Sequence, residues 1–186
     1  MSIEASNLVV RQFLYNTSLE NFKFNGIIRN LTDRYGGNLH ENTVVEITCS
    51  STSNHGKPWF ALNLQSEDDW WSGNAAYDWW KCDFKARKVQ LTGYTLRTNS
   101  AGLNGSHLKN WILDGSNDNI KWVVMDERVN NSDLNGSNLS KYFAIEGNFQ
   151  PFRYIRIRLS GLTHLKDNLL CLSGCEFFGN LIEPSE

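Results

Sequence analysis

One segment near the carboxyl end, FRYIRIRLSG, alternates apolar and polar side chains. A period of two is that of a β-strand with one buried face. One face would carry Ile155, Ile157 and Leu159, and the other Tyr154, Arg156 and Arg158. Similar short apolar segments recur between clusters of Gly, Asn, Ser and Asp, and helical periodicity is hard to find. The chain is therefore predicted to be all-β.

Four further segments have strand character: TVVEITCSS, RKVQLTGYTLRT, KNWILDGSNDNIKWVVMDE and NLLCLSGCEFFGNL. In the second of them the apolar phase shifts across Gly93, which predicts a β-bulge. The last is apolar on both faces and is expected to lie centrally. Because the strands stand far apart in sequence, long crossing loops and a jelly-roll topology are expected rather than simple hairpins.

The size and charge of the chain restrict its partners. Its 186 residues fit one domain with a sizeable core. The 18 basic and 20 acidic residues give a net charge of -2, so no nucleic-acid partner is expected. No apolar run is long enough to cross a bilayer, and the amino terminus lacks the features of a secretory signal. An intracellular, cytoplasmic location is therefore expected.

Six motifs follow one another in a recognisable order: VEITCSS, DWWSGN, DWWKCDFKARKVQLTGYTLRT, NWILDGSNDNIKW, FRYIRIRLSG and LCLSGCEFFGNL. With them, the chain resembles the coagulation factor 5/8 type C domain, also called the discoidin domain, over about residues 25–181. The stretch FNGIIRNLTDRYGGNLHENTVVEITCSS is similar to the intracellular versions that follow BTB or similar scaffold modules.

The resemblance implies an eight-stranded antiparallel β-sandwich, galactose-binding-domain-like, with binding loops at one end. The discoidin-like domain would span residues 26–181, and residues 182–186 would form a C-terminal tail. Residues 1–25 would be a lead-in, either a short helix or an extended segment packed on the sandwich. Members of the family bind carbohydrates, anionic lipid headgroups or protein partners without catalysis.

The four cysteines are expected to be reduced and mostly buried. Extracellular members of the family join a cysteine near the start of the domain to one near its end. Cys175 matches the second position, but no cysteine between residues 25 and 48 matches the first. This departure fits a reducing compartment. No zinc site is expected, because the four histidines have no metal-motif spacing, and neither a metal nor a cofactor is predicted.

Four of the seven tryptophans form two adjacent pairs, Trp70-Trp71 and Trp79-Trp80. Adjacent residues on a strand point to opposite faces. At least one member of each pair is therefore predicted to pack in the core, while the other is free to face outward.

Two loops match the binding loops of the family. In the first, residues 51–61, Trp59 is a candidate for stacking on a ligand, with hydrogen bonds from Asn54, His55 and Lys57. The alternative is that Trp59 and the proline before it anchor the loop onto the sandwich.

The second loop, residues 97–110, offers Asn104, Ser106 and His107, all expected to be exposed. The alternative for this loop is a flexible, glycine-rich turn without a ligand.

Three arginines, Arg153, Arg156 and Arg158, are expected to pair with acids such as Asp83 or Glu176 rather than to bind nucleic acid. No phosphate loop, HExxH motif or dinucleotide fingerprint occurs, so the chain is not expected to be an enzyme.

Two functions remain. The first is an intracellular protein-interaction or scaffold domain that binds its partner through the loops at one end of the sandwich. The alternative is a carbohydrate-binding, lectin-like domain that uses Trp59. Peripheral binding to phospholipid headgroups has less support, because the loops have few apolar tips and only Lys57, Arg97 and Lys109 as basic neighbours.

Overall fold

The computed structural model describes residues 8–18, 23–66 and 68–185. Two antiparallel sheets enclose the core, which confirms the all-β sandwich. One α-helix, α1 (Ile27–Tyr35), and a 3-10 helix (Pro58–Leu62) occur among these residues. In chain order, the strands are β1 (Leu8–Phe13), β2 (Glu46–Cys49), β3 (Trp70–Trp71), β4 (Trp79–Asp83), β5 (Lys88–Arg97), β6 (Trp111–Ser116), β7 (Val123–Arg128), β8 (Ser140–Ala144), β9 (Tyr154–Leu159), β10 (Cys171–Leu172) and β11 (Gly174–Pro184).

The strand order explains why the loops are long. One sheet has the order β2-β4-β9-β6-β7 and the other β1-β11-β5-β8, while β3 and β10 form a two-stranded ribbon. Without β1 and the ribbon, the two sheets contain the eight strands that were predicted. Most neighbouring strands are not consecutive in the chain, so the connections cross between the sheets. The expected bulge is present, because Gly93 pairs with Phe178 and Leu91 with Gly179, which leaves Thr92 unpaired.

Each tryptophan pair has one buried and one partly exposed member, as the alternation of side chains along a strand predicts. Trp70 and Trp80 are fully buried, whereas Trp71 and Trp79 are partly exposed. The buried members join a core that runs between the sheets. Burial of a large aromatic side chain contributes strongly to stability, so one tryptophan of each pair supports the fold and the other is available at the surface.

The described part of the lead-in is extended rather than helical. Its strand β1 pairs along its length with the end of β11, from Leu8 opposite Pro184 to Phe13 opposite Gly179. Residues 182–184 of the expected tail therefore belong to a strand, because pairing with β1 holds them in the sheet.

The prediction that these arginines pair with acids is confirmed for all three; of the two acids named as examples, Asp83 is a partner and Glu176 is not. Arg153 binds Asp83 through two hydrogen bonds of 2.7 Å. Arg156 and Arg158 instead share Asp114, at 2.8–2.9 Å. The reason is topological: Asp114 lies on β6, beside the strand that carries these arginines, whereas Glu176 belongs to the opposite sheet.

Glu176 closes the amino-terminal end of α1. Its Oε1 accepts hydrogen bonds from the backbone N–H groups of Ile28 and Phe177, at 2.7 and 2.8 Å, and its Oε2 accepts one from Arg29 at 3.0 Å. The first N–H groups of a helix lack partners within the helix, and the N-cap residue, Gly26, has no side chain to supply one. The carboxyl group therefore fastens α1 to the four-stranded sheet.

This cap is expected to make stability depend on pH. Burial raises the pKa of Glu176 to about 7, and the backbone hydrogen bonds offset only part of that shift. Because the folded-state pKa is above the ordinary value of 4.5, the contribution to stability is complete below pH 4.5 and is lost as the pH rises through 7. Relative to a Glu176→Gln variant, the free energy of unfolding should fall by about 3 kcal/mol over this range.

Urea denaturation of both proteins, from about pH 4.5 to about pH 8, measures this difference. Burial lowers the pKa of His40 and of His107, and their stabilising contributions are lost as the pH falls below their ordinary value of 6.5. Those histidine contributions cancel in the comparison, since both proteins retain them. A difference that does not change with pH would contradict the prediction.

Five connections meet at one end of the sandwich. The pairings of Cys49 with Trp80, Trp79 with Arg158, and Trp111 with Leu159 place them there. Hydrogen bonds from Ser51 to Asp78 and from Ser106 to Asp167 join neighbouring connections. We call this the loop end; its connections are residues 50–57, 72–78, 98–110, 129–139 and 160–170.

Candidate functional site

The largest of the clefts described here lies in the first loop. It has a volume of about 490 Å³. We call it the first-loop cleft; its lining residues are Cys49, Thr52, Ser53, Asn54, Gly56, Lys57, Pro58 and Trp59. Three of the four first-loop candidates, Asn54, Lys57 and Trp59, are thus brought together on one surface.

Trp59 is held in one orientation by residues from a distant part of the chain. The His40 ring stacks on the indole with centroids 4.4 Å apart, and the indole N–H donates to Glu41 Oε1 at 3.2 Å. Asn38 donates a hydrogen bond to the Trp59 carbonyl at 3.0 Å. Trp59 is half-buried and packs against the core. The anchoring role considered from the sequence is therefore present, and it holds the ring at the wall of the cleft.

His40 is itself fixed as a neutral ring. Its Nδ1 accepts a hydrogen bond from the backbone N–H of Ile47 at 3.0 Å, which requires an unprotonated nitrogen. Burial lowers the pKa of His40, in agreement with that bond. Neither His40 nor Glu41 was a candidate from the sequence, because they stand 18 or more residues from Trp59 and no local motif links them.

The path of the first loop depends on Gly56. This residue has a φ of +73°, and a Cβ atom here would lie 1.9 Å from the carbonyl oxygen of Asp69. Only glycine fits such a close backbone approach. The turn at Gly56 places Asn54 and Lys57 at the rim of the first-loop cleft, where both side chains are exposed. Neither side chain has a hydrogen bond or ion pair with any residue that the structure describes.

His55 lies outside the cleft lining. Its Nε2 is 2.7 Å from Asp69 Oδ1, and its ring centroid is 4.9 Å from that of Trp71. The His55 side chain is 60% exposed. The structure thus separates His55 from the other three first-loop candidates and places it beside the outward member of a tryptophan pair.

The second-loop candidates differ from expectation. Ser106 and His107 are buried, 4% and 1% exposed, because this loop packs beneath the connection after β9. Ser106 Oγ donates to Asp167 Oδ2 at 2.6 Å, and His107 Nε2 lies 3.1 Å from Asn99 Oδ1. The expectation that these two side chains are exposed is wrong.

Asn104 is exposed, but its backbone N–H and its side-chain oxygen are engaged. Its backbone N–H donates to Asn135 Oδ1 at 2.8 Å, and its Oδ1 accepts from Asn135 Nδ2 at 3.1 Å. None of the three second-loop candidates forms a hydrogen bond with residues 51–61 in the described chain. The two loops therefore do not combine into one site through these side chains.

A buried cysteine, histidine and asparagine also meet at the loop end. Asn99 Nδ2 donates to Cys171 Sγ at 3.1 Å, while His107 contacts Asn99 rather than the thiol. Burial raises the pKa of the Cys171 thiol well above its ordinary value. A nucleophilic cysteine needs a thiolate with a base in contact, and this arrangement supplies neither.

Two further properties bear on the site. No group of three or more His, Cys, Asp or Glu side chains in the described ranges could hold a metal ion. Among the same residues, no helix has the length and apolarity needed to span a membrane.

Comparison with solved structures identifies the fold. The chain is similar to a carbohydrate-binding module from Clostridium perfringens, CpGH89CBM32-5, in complex with GalNAc-β-1,3-galactose, with 13% identity and a TM-score of 0.58 over 73% of this chain and 96% of that chain. It is also similar to the F-lectin (fucolectin) from striped bass (Morone saxatilis) serum, with 14% identity and a TM-score of 0.58 over 73% of this chain and 47% of that one. The chain has the discoidin-like galactose-binding fold.

No family model matches this discoidin-like chain. At 13–14% identity, the structural likeness establishes the fold alone. The narrower resemblance to BTB-associated domains has no counterpart among these structures and stays a prediction.

One curated protein is similar in sequence. The E3 ubiquitin-protein ligase Ufd4 of Drosophila melanogaster is 32% identical over 146 residues, which cover 74% of this discoidin-like chain. The chain spans 4% of the length of that ligase. The match thus concerns a small part of a much larger protein.

Proposed function

We propose that this discoidin-like domain is a non-catalytic binding module that takes a sugar in the first-loop cleft. The observation that carries the proposal is the cleft itself. Its volume of about 490 Å³ lies within the range of about 300–1,000 Å³ typical of small-ligand sites. It combines an indole with exposed amide and ammonium groups that have no partner in the described chain.

This combination suits a sugar ring. The apolar C–H face of a pyranose can pack on an aromatic ring, and its hydroxyl groups need a few fixed hydrogen-bonding partners. His40 and Glu41 hold the Trp59 ring before a ligand arrives, which reduces the entropy lost on binding. Structural neighbours from Clostridium perfringens were solved with GalNAc-β-1,3-galactose and with galactose, which supports the same ligand class here.

Replacing Trp59 with alanine is expected to weaken sugar binding about tenfold or more, equivalent to ~1.4 kcal/mol or greater. The cause is loss of the cleft wall on which the ring would pack. Because Trp59 is only half-buried, stability should fall by about 2 kcal/mol and the protein should remain folded. A glycan array, followed by titration calorimetry with each sugar that binds, measures the effect.

Tyr77→Ala is the matched control, since Tyr77 is a 68% exposed aromatic residue at the loop end but not in the cleft lining. The control should bind as the wild type does. A blank array with folded wild-type protein would rule out a sugar site. Equal binding by the Trp59 variant would place the site elsewhere.

The second candidate function is an intracellular protein-interaction or scaffold domain. The similarity to part of an E3 ubiquitin-protein ligase supports it. All four cysteines are free thiols, including Cys175 at the position of the family disulfide, which supports a reducing compartment. Affinity capture under reducing conditions, in competition with any sugar found on the array, distinguishes the two functions. A specific partner retained by Trp59→Ala, together with a blank array, would favour this candidate.

A further inference from the structure

The outer face of the five-stranded sheet carries an unusual group of aromatic and cationic side chains. Lys81 on β4 places its Nζ 5.1 Å from the Trp79 ring centroid and 5.7 Å from that of Tyr154. Arg156 on β9 stacks its guanidinium carbon 3.9 Å from the centroid of Trp122. All five side chains are partly exposed. None of these five residues is among the first-loop or second-loop candidates.

Two cations face each other at the centre of this surface. Lys81 and Arg156 are directly opposite in the register between β4 and β9. Like charges in this arrangement destabilise a sheet. Asp114 lies beside Arg156, but it also binds Arg158, so one carboxylate serves two guanidinium groups. The positive charge at this position is therefore only partly balanced.

Lys81 has no acidic partner in direct contact. Its Nζ donates to the neutral amide oxygen of Asn119 at 2.9 Å, and it forms no ion pair with any residue in the described ranges. Burial is the main cause of its lowered pKa; Asp83 opposes the shift and Arg156 adds to it. A half-buried ammonium between aromatic rings would be stabilised by an anion approaching from solvent.

A small cleft is present at this point. It measures about 190 Å³, and its lining contains two cations, two indoles and one amide but no carboxylate; the lining residues are Trp79, Lys81, Asn119, Trp122 and Arg156. This volume is below the range of typical small-ligand pockets, and it suits a single acidic side chain better than a sugar ring. A neighbouring cleft of about 360 Å³ shares Lys81 and Asn119 but also contains the carboxylates of Glu46 and Asp83, so the carboxylate-free lining is confined to the smaller cleft.

We propose that this outer face binds an acidic peptide segment of a protein partner, with an aspartate or glutamate carboxylate seated on Lys81 and Arg156 between Trp79 and Trp122. Trp, Tyr and Arg are the residues most enriched among binding hot spots. The cationic lining supplies charge complementarity, and the indoles contact the apolar atoms of the peptide. This surface is distinct from the first-loop cleft, and the proposal holds whether or not that cleft binds sugar.

The test is selection of a random dodecapeptide phage library on the whole chain, followed by fluorescence anisotropy with the selected peptides. Peptides enriched in Asp and Glu are expected. Lys81→Gln should weaken their binding about tenfold or more at low salt and flatten its dependence on NaCl concentration, since one ionic contact is lost. The glutamine retains a donor for Asn119, and removal of the like-charge pair should leave Tm unchanged or raise it.

Lys88→Gln is the matched control, because Lys88 is an exposed lysine on β5 of the other sheet. It should bind the peptides as the wild type does. Failure to enrich acidic peptides, or equal binding by Lys81→Gln and the wild type, would overturn the proposal. Tighter, Lys81-dependent binding of trigalacturonate than of the selected peptides would assign the cleft to an acidic sugar and would also overturn it.

Discussion

Glu176→Ala is expected to lower the free energy of unfolding by about 4 kcal/mol at pH 5. The substitution removes the acceptor of three backbone N–H groups, those of Ile28, Arg29 and Phe177. The hydrogen bonds to Ile28 and Phe177 are buried, and an unsatisfied buried donor costs about 1–3 kcal/mol. At pH 5 the side chain is mostly neutral, since its pKa is about 7, so relief of a buried charge offsets little of this loss.

Urea denaturation of the wild type, Glu176→Ala and Glu176→Gln separates the contribution of the hydrogen bonds to Oε1 from that of the hydrogen bond to Oε2. Glutamine keeps one acceptor oxygen for Ile28 and Phe177 but presents an amide nitrogen to Arg29, so a loss of about 1 kcal/mol is expected. A small domain has about 5–15 kcal/mol of stability, so the alanine variant should lose a large fraction of it. An alanine variant within about 1 kcal/mol of the wild type would show that the cap is unimportant.

Asp114→Ala is expected to destabilise the protein by about 3–5 kcal/mol. The Asp114 side chain is 1% exposed and accepts hydrogen bonds from Arg156 and Arg158. Its removal leaves two partly buried guanidinium groups without a carboxylate, next to Lys81. Removing one partner of a buried ion pair is costly, because the remaining charge keeps its desolvation penalty without the attraction of its partner.

The control is Asp33→Ala, which removes an exposed pair between Arg29 and Asp33 on α1. Exposed pairs of this spacing contribute about 0.3–0.5 kcal/mol. Both variants lose one carboxylate, so the difference between them reports burial rather than net charge. Equal losses in urea denaturation would contradict a structural role for Asp114. A further Arg158→Leu substitution should recover part of the loss, since it removes one of the unpaired charges.

Much of the fold could be predicted because it follows from local periodicity. The alternation in residues 154–159 defines β9, and the phase shift at Gly93 correctly marks the bulge opposite β11. The division of each tryptophan pair into a buried and a partly exposed member follows from the same two-residue period. Three first-loop candidates share a cleft because they are close in sequence and one tight turn at Gly56 orients them.

The errors arose where distant segments meet. Ser106 and His107 were expected to be exposed in a polar, glycine-rich loop, but the connection after β9 covers them. Glu176 was expected as one acidic partner for the arginines, but sheet order places it under α1, and Asp114 pairs with Arg156 and Arg158.

By itself, the sequence determined which segments become strands, which side chains point inward, and which loop residues can reach a common cleft. These properties depend on the two-residue period of the strand and on short chain connections. Only the tertiary structure decided which side chains hold Trp59, which acid pairs with Arg156, and that Lys81 lies opposite Arg156. These contacts depend on strand order and register between segments far apart in the chain, which no local pattern encodes.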